Sequence, residues 1–163
     1  MTEPTQLLPK LYLSPGELII AEKPMIITTV LGSCISVVLF SPRLKIGAIC
    51  HATMPSGEEE RPGKFADQSV LYLLEEFQLR GIKRRETLVK LFGGSDMFTL
   101  KHPENQSNTI GAQNVRSAIA TLGRAGYEPM VNDVGGSQGR KLVFHSNTGD
   151  VFRKWVKKEM LDY

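Results

Sequence analysis

The chain has 163 residues, of which 41% are hydrophobic and 23% are charged, and its formal net charge is +3. This length suffices for one domain with a sizeable core, and the composition is that of an ordinary globular protein, which argues against extensive disorder. The small, scattered positive charge gives no support for nucleic-acid binding. The sequence contains no run of 18 apolar residues and no signal-peptide pattern, so we expect no membrane insertion and a cytoplasmic location.

The N-terminal segment is predicted to be a flexible arm over residues 1–15, because it is interrupted by prolines and has few apolar residues. The folded domain is then expected to occupy residues 16–163. Its first strand is predicted over Glu17–Ala21 and ends before Pro24, and a second strand begins at Met25.

A β-hairpin is predicted after the small-residue corner formed by Gly32 and Ser33. Two apolar strands flank a tight turn at residues 41–44, and a four-residue loop there would pair Phe40 with Lys45. In that register one face of the hairpin is wholly apolar and suits a core.

The other face of the predicted hairpin ends in a thiol and an imidazole. Counting along the ladder places Cys34 directly opposite His51, where Cβ atoms are about 4.5–5.5 Å apart. The second cysteine, Cys50, falls on the apolar face and is interpreted as a packing residue. The sequence therefore predicts a Cys34–His51 pair and no disulfide bond.

The remaining sequence predicts two helices and further strands. The segment over residues 95–108 is interpreted as a loop. Apolar spacing and glycine stops predict helices from Asp67 to Leu79 and from Asn108 to Gly126, and strands over Thr87–Phe92, Glu128–Val134, Lys141–His145 and Val151–Val156. This order indicates a single α+β domain with mixed, mostly antiparallel β-sheets in a sandwich-like arrangement and two main helices packed on them.

A cysteine paired with a histidine suits acyl transfer, because the imidazole can accept the thiol proton and so generate the nucleophilic thiolate. The imidazole needs a third group to fix its tautomer, and Thr28 and Thr29 on the preceding strand are both candidates. The backbone N–H groups of Gly32 and Ser33 are candidates for an oxyanion hole.

Other interpretations of these residues remain. A lone cysteine in a strand is usually a packing residue. A zinc site is disfavoured because the sequence has no C-x-x-C pair and because the adjacent Cys50 and His51 point to opposite faces. The glycine pairs match no phosphate-binding pattern, so we expect neither a metal nor another cofactor.

Several short motifs occur along the chain. They are TTVLGSC at residues 28–34, His51 with MP at residues 54–55, KLFGG at 90–94, IGAQN at 110–114, and DVGG at 133–136 with GRK at 139–141. In this order and spacing they resemble the motifs of the CheD family of chemoreceptor glutamine deamidases, and the resemblance extends over roughly residues 16–157.

The resemblance implies a Cys–His–Thr triad and a fold resembling the catalytic domains of deamidating toxins. By position, Cys34 would be the nucleophile and His51 the general base and then acid. The family threonine lies six residues before the cysteine, which is Thr28. Thr29 is the neighbouring alternative, and only one of the two can face His51 because side chains alternate along a strand.

The resemblance further implies hydrolysis of glutamine side-chain amides in the cytoplasmic domains of methyl-accepting chemotaxis receptors. It also implies binding of the CheC phosphatase. A non-enzymatic chemotaxis interaction module is the alternative function, and a cysteine peptidase is a third possibility that shares the nucleophile.

Overall fold

The computed structural model describes residues 7–97 and 108–157. Within these ranges the strands are β1 (Lys10–Tyr12), β2 (Leu18–Ala21), β3 (Ile26–Leu31), β4 (Ile35–Ser41), β5 (Ile46–Cys50), β6 (Leu88–Gly93), β7 (Val131–Val134), β8 (Gly139–His145) and β9 (Val151–Val156). The helices are α1 (Ala66–Leu79) and α2 (Ile110–Arg124), with a short 3₁₀ helix at Arg84–Glu86.

The strands form two sheets, a four-stranded sheet in the order β1-β3-β8-β9 and a five-stranded sheet in the order β2-β5-β4-β6-β7. The β1–β3 and β6–β7 pairings are parallel, and the other pairings are antiparallel. The predicted α+β class with mixed, mostly antiparallel sheets and two main helices is therefore confirmed.

The five-stranded sheet is the central layer of the domain, and this explains why every residue of β4 is buried. One face of β4 carries Val37 and Leu39, which pack against α1 and α2. The opposite face carries Val38, which packs against inward residues of the four-stranded sheet such as Ile27 and Phe144. A strand covered on both sides needs apolar residues at every position instead of an alternating pattern.

Both helices form where their apolar spacing predicts, with different first residues. The N-cap of α1 is Phe65, and Asp67 lies in the first turn. The N-cap of α2 is Thr109 rather than Asn108, because the Thr109 hydroxyl accepts a hydrogen bond from the Ala112 N–H at 3.2 Å.

Part of the predicted N-terminal arm belongs to the folded domain. Strand β1 pairs in parallel with β3, so that Lys10 lies beside Ile26 and Tyr12 beside Thr28. The next residue, Leu13, is 2% exposed and packs between the sheets. Residues 10–13 are therefore structural, whereas residues 1–6 of the arm lie outside the described residues.

The predicted hairpin register is wrong by two residues. The structure pairs Ser41 with Ile46 and Phe40 with Gly47, so the loop runs from Pro42 to Lys45. Lys45 adopts a left-handed conformation with φ of +54° and donates its N–H to the Ser41 carbonyl at 2.8 Å. Because non-glycine residues rarely adopt this conformation, the sequence carries no signal for it.

The corrected register leaves each side chain on its predicted face, because the shift is an even number of residues. An isolated bridge between Ile35 and Ala52 continues the β4–β5 ladder beyond Cys50. Ser36, rather than Cys34, is then the residue opposite His51. Cys34 lies two residues further along the same face.

The predicted packing role of Cys50 is confirmed by its position. Its side chain is fully buried between the five-stranded sheet and the helices, and its sulfur accepts the Val37 N–H at 3.3 Å. We expect Cys50→Ala to lower the free energy of unfolding by about 1–2 kcal/mol through lost packing. Urea titration measures this loss, and substrate turnover by the folded variant should equal that of the parent.

Candidate active site

Cys34 lies at the corner between β3 and β4, at one end of the space between the two sheets, and its side chain is half-buried. The backbone of this corner is fixed by three hydrogen bonds to successive carbonyls. The Gly32, Ser33 and Cys34 carbonyls accept from the Ser95 N–H at 3.0 Å, Asn114 Nδ2 at 2.9 Å and the Gly94 N–H at 2.8 Å, respectively.

Gly93 allows this close packing at the end of β6. Its φ is +105°, and a Cβ at this position would collide with the Cys34 carbonyl oxygen. Only glycine adopts this conformation without strain and leaves room for the neighbouring backbone. The KLFGG motif thus shapes the corner that carries the thiol.

Ser95 is held in turn by Arg140, a buried residue of β8 that forms an ion pair with Asp133 of β7 and so links the two sheets. Arg140 is 2% exposed, donates to Ser95 Oγ at 2.7 Å and pairs with Asp133 at 3.2 Å. The guanidinium also lies over the Trp155 ring, 4.8 Å from its centroid. Residues of the DVGG and GRK motifs therefore hold Ser95, whose N–H binds the Gly32 carbonyl of the Cys34 corner.

His51 follows directly after β5 and is 1% exposed. Its Nδ1 lies 2.7 Å from Thr29 Oγ1, and Thr29 Oγ1 donates to the Leu13 carbonyl, also at 2.7 Å. A hydroxyl has one proton, and a carbonyl can only accept. Because Thr29 donates its proton to Leu13, His51 carries its own proton on Nδ1, and Nε2 keeps an unprotonated lone pair.

The threonine that contacts His51 is Thr29, which corrects the prediction of Thr28. Along β3 the residues Ile27, Thr29 and Leu31 are fully buried between the sheets, and Thr28 points to the opposite, outer face and is half-buried. A side chain on the outer face cannot reach a ring that lies between the sheets.

The structure brings Cys34 and His51 to the same face of neighbouring strands. Among the described residues, no hydrogen bond joins Cys34 Sγ to the His51 ring. Catalytic hydrogen bonds are often long without substrate and shorten when it binds, so the missing bond does not exclude a Cys34–His51 pair. The N–H groups of Gly32 and Ser33 likewise donate none of the hydrogen bonds found in residues 7–97 and 108–157.

Burial keeps the side chains of Cys34 and His51 neutral. It raises the pKa of Cys34 from 9.0 to about 11, against the opposing effect of the cysteine's own backbone N–H. Burial also lowers the pKa of His51 from 6.5 to about 4, against the opposing effects of the Leu13 carbonyl and the Glu17 carboxylate. At neutral pH the site therefore contains a thiol and a neutral imidazole.

The lowered pKa of His51 makes the folded state sensitive to acid. The unfolded chain binds the proton near pH 6.5 and the folded chain near pH 4, so the free energy of unfolding should fall as pH drops through this interval. Urea titrations between pH 4 and pH 8 measure this slope. His51→Gln should show a smaller fall than the parent, and an identical slope in both would contradict the assignment.

A separate cavity of about 550 Å³ lies beside this site. It is bordered by Gly94, Thr109, Arg116 and Gly136, and neither Cys34 nor His51 contributes to its lining.

Within the described residues, no group of three or more His, Cys, Asp or Glu side chains is placed to hold a metal ion. Within residues 7–97 and 108–157, neither helix combines the length and the hydropathy that a membrane span requires.

Two supporting residues, Asn114 and Ser95, were not predicted from the sequence as parts of the site. Asn114 lies in the IGAQN motif, which is the signal that could have pointed to it. Ser95 follows directly after the KLFGG motif, and nothing in its own sequence context indicates its role.

Comparison with known proteins places these features in a family. The family described as CheD chemotactic sensory transduction matches residues 51–155. The chain is 43% identical over 157 residues to a protein of Geobacter sulfurreducens named "Probable chemoreceptor glutamine deamidase CheD 2", and the match covers 95% of each chain.

Other relatives carry similar names. The identity is 42% to a probable chemoreceptor glutamine deamidase CheD of Nitratidesulfovibrio vulgaris, covering 90% of this chain and 76% of the relative. The identity is 34% to the chemoreceptor glutamine deamidase CheD of Thermotoga maritima, and that match covers 86% of this chain and 88% of the relative. On these matches, the chain belongs to the CheD family.

Proposed function

We propose that this protein hydrolyses the side-chain amide of glutamine residues in chemoreceptors, giving glutamate and ammonia. The relatives named as chemoreceptor glutamine deamidases support this activity. The observation that carries the proposal is the contact of Thr29 Oγ1 with His51 Nδ1 at 2.7 Å, because it leaves a basic Nε2 on the face that also carries Cys34.

In the first half-reaction, Cys34 Sγ attacks the carboxamide carbon while its proton passes to His51 Nε2. The N–H groups of Gly32 and Ser33, which donate no hydrogen bond in the described structure, are the proposed donors to the developing oxyanion. The C–N bond then breaks as Nε2 returns the proton to the leaving nitrogen. The products are ammonia and a thioester between Cys34 and the substrate.

In the second half-reaction, water attacks the thioester carbon and gives a proton to His51 Nε2. The C–S bond breaks, the sulfur recovers its proton from Nε2, and glutamate is released. A glutamyl methyl ester would follow the same steps with methanol as the leaving group.

The neutral resting state indicates how the thiol is activated. With the pKa of Cys34 near 11 and that of His51 near 4, a stable thiolate–imidazolium pair does not form at neutral pH. Proton transfer therefore accompanies attack on the substrate instead of preceding it. This protects the thiol from oxidation between turnovers, because the thiolate is the reactive form.

We further propose that the substrates are cytoplasmic domains of methyl-accepting receptors and that the protein acts in the cytoplasm. The two free thiols, Cys34 and Cys50, suit a reducing compartment. Binding of a CheC phosphatase is part of the proposal, on the basis of the family resemblance alone. A module that binds such partners without catalysis is the alternative, and it would not require the Cys34, His51 and Thr29 arrangement.

Incubation of a receptor cytoplasmic fragment with the protein in water enriched in heavy oxygen tests the activity. Each deamidated glutamine exchanges its amide nitrogen for one solvent oxygen, which peptide mass spectrometry detects. Cys34→Ala and a no-enzyme sample are the controls for spontaneous deamidation. Cleavage of the fragment would indicate a peptidase, and binding without either change would indicate the interaction module.

A further inference from the structure

The side chain of Asn114 connects the two backbone segments that carry the reacting groups. It is fully buried on α2, and its Nδ2 donates to the Ser33 carbonyl at 2.9 Å and to the Thr53 carbonyl at 3.2 Å. Ser33 immediately precedes Cys34, and Thr53 lies two residues after His51. One amide group thus contacts both segments.

The position of this amide is that of a missing rung in the β4–β5 ladder. The last backbone pair of the ladder joins Ile35 to Ala52 through hydrogen bonds of 3.0 and 2.9 Å. In a regular antiparallel ladder the next hydrogen-bonded pair would be Ser33 with Met54, but the Met54 N–H donates to the Lys64 carbonyl at 3.1 Å and the Ser33 carbonyl accepts from Asn114. Asn114 bridges the two chains at this level instead.

The orientation of the amide is unambiguous, because both of its partners are carbonyls and only Nδ2 can donate to them. Its Oδ1 is buried and has no hydrogen-bond partner among the described residues. Burying an unpaired acceptor costs stability. This cost offsets part of the stability that the two hydrogen bonds of Nδ2 provide. We therefore interpret Asn114 as a residue that holds the Ser33 and Thr53 carbonyls together.

Helix α2 provides a rigid support for this bridge. Gly111, one turn before Asn114, packs so closely that a Cβ would lie 2.5 Å from the carbonyl oxygens of both Gly94 and Ser95. The N–H groups of Gly94 and Ser95 in turn hold the Cys34 and Gly32 carbonyls. The helix, the end of β6 and the nucleophile corner thus form one packed unit.

We propose that Asn114 is a positioning residue that sets the alignment of Cys34 Sγ with the ring of His51. This inference rests on the proposed function for its kinetic readout. Without the bridge, the corner that carries Cys34 is free to separate from the segment after His51, and the proton transfer between them becomes less efficient.

The test compares Asn114→Ala and Asn114→Asp with Ser117→Ala. Ser117 is the matched control, because it lies one turn further along α2 and its hydroxyl donates to the Pro55 carbonyl at 2.5 Å without contacting the nucleophile corner. Aspartate keeps the shape of asparagine and cannot donate when ionised, so it isolates the donor. We expect both Asn114 variants to lower kcat on a receptor fragment by about 10- to 100-fold with unchanged KM. Ser117→Ala should lower Tm and leave kcat unchanged.

Alkylation of Cys34 by iodoacetamide provides a readout that needs no receptor. If His51 assists removal of the thiol proton, the reaction at pH 7 is slower in His51→Gln than in the parent. The alkylation rate of Asn114→Ala should fall to that of His51→Gln, and the alkylation rate of Ser117→Ala should equal that of the parent protein. The inference is overturned if Asn114→Ala is alkylated at the parent rate, or if its loss of kcat equals that of Ser117→Ala. A parent protein that deamidates no receptor would refute the proposed function, while the alkylation rates would still decide the role of Asn114.

Discussion

Replacement of Cys34 by alanine is expected to abolish glutamine hydrolysis, with a loss in kcat of the order of 10⁴- to 10⁶-fold. In the proposed mechanism the thiol forms the covalent bond to the substrate, so its removal leaves the reaction without its nucleophile. Mass spectrometry of receptor peptides after incubation with excess variant measures the residual rate. The heavy-oxygen label separates that rate from spontaneous deamidation.

The fold of Cys34→Ala should be unaffected, because the Cys34 side chain is half-buried and the corner is held through backbone carbonyls. Cys50→Ala is the matched control, since it removes the other thiol and leaves the site unchanged. Undiminished hydrolysis by Cys34→Ala, or a loss of hydrolysis in folded Cys50→Ala alone, would contradict the assignment of the nucleophile.

Substitution of Thr29 by valine is expected to lower kcat by about 100-fold, less than the roughly 10⁴-fold effect of altering a charged triad member. Valine has nearly the same shape but leaves His51 Nδ1 without its hydroxyl partner. The ring then loses the contact that fixes its tautomer and orientation. Thr28→Val, on the neighbouring position of β3, should leave kcat unchanged because its side chain lies on the outer face.

Steady-state kinetics of the two valine variants on one receptor fragment distinguishes the candidate threonines. Comparable thermal unfolding of both variants would exclude a general loss of structure as the cause. A large defect in Thr28→Val with normal turnover in Thr29→Val would restore the threonine expected from family spacing and refute the role that the geometry gives to Thr29.

The hairpin shows how far sequence reasoning extends. Its apolar runs and turn residues predict both strands and place Cys34 and His51 on one face. The register depends on the conformation of the loop, and Lys45 adopts a left-handed φ that no glycine or asparagine signals. Because the register error is two residues, each side chain is predicted on the correct face. The residue predicted to lie opposite His51 is wrong.

The choice between Thr28 and Thr29 could not be made from the sequence for a related reason. In IITTVL, Thr28 lies between Ile26 and Val30 at alternate positions, and Thr29 lies between Ile27 and Leu31. Both faces of β3 are therefore equally apolar by composition. Only the packing of the two sheets determines which face points inward.

The supports of the site come from positions far apart in the chain. Asn114 is 81 residues from Ser33, and Arg140 is 45 residues from Ser95. Such contacts follow from how the elements pack, and a single sequence carries no pattern that specifies them. The positions of Cys34 and His51 on one face were predictable because both residues flank one hairpin.

In the proposed mechanism, the bond from Thr29 to the Leu13 carbonyl gives the residue that follows β1 a part in proton transfer. That carbonyl engages the only hydroxyl proton of Thr29 and thereby determines which ring nitrogen of His51 is basic. Truncation to residue 16, a natural choice of boundary for expression, would remove this acceptor. The Thr29 hydroxyl would then be free to donate its proton to His51 Nδ1, which favours the tautomer with its proton on Nε2. The shortened protein would retain the thiol and the imidazole, but Nε2 would no longer be fixed as the acceptor of the thiol proton.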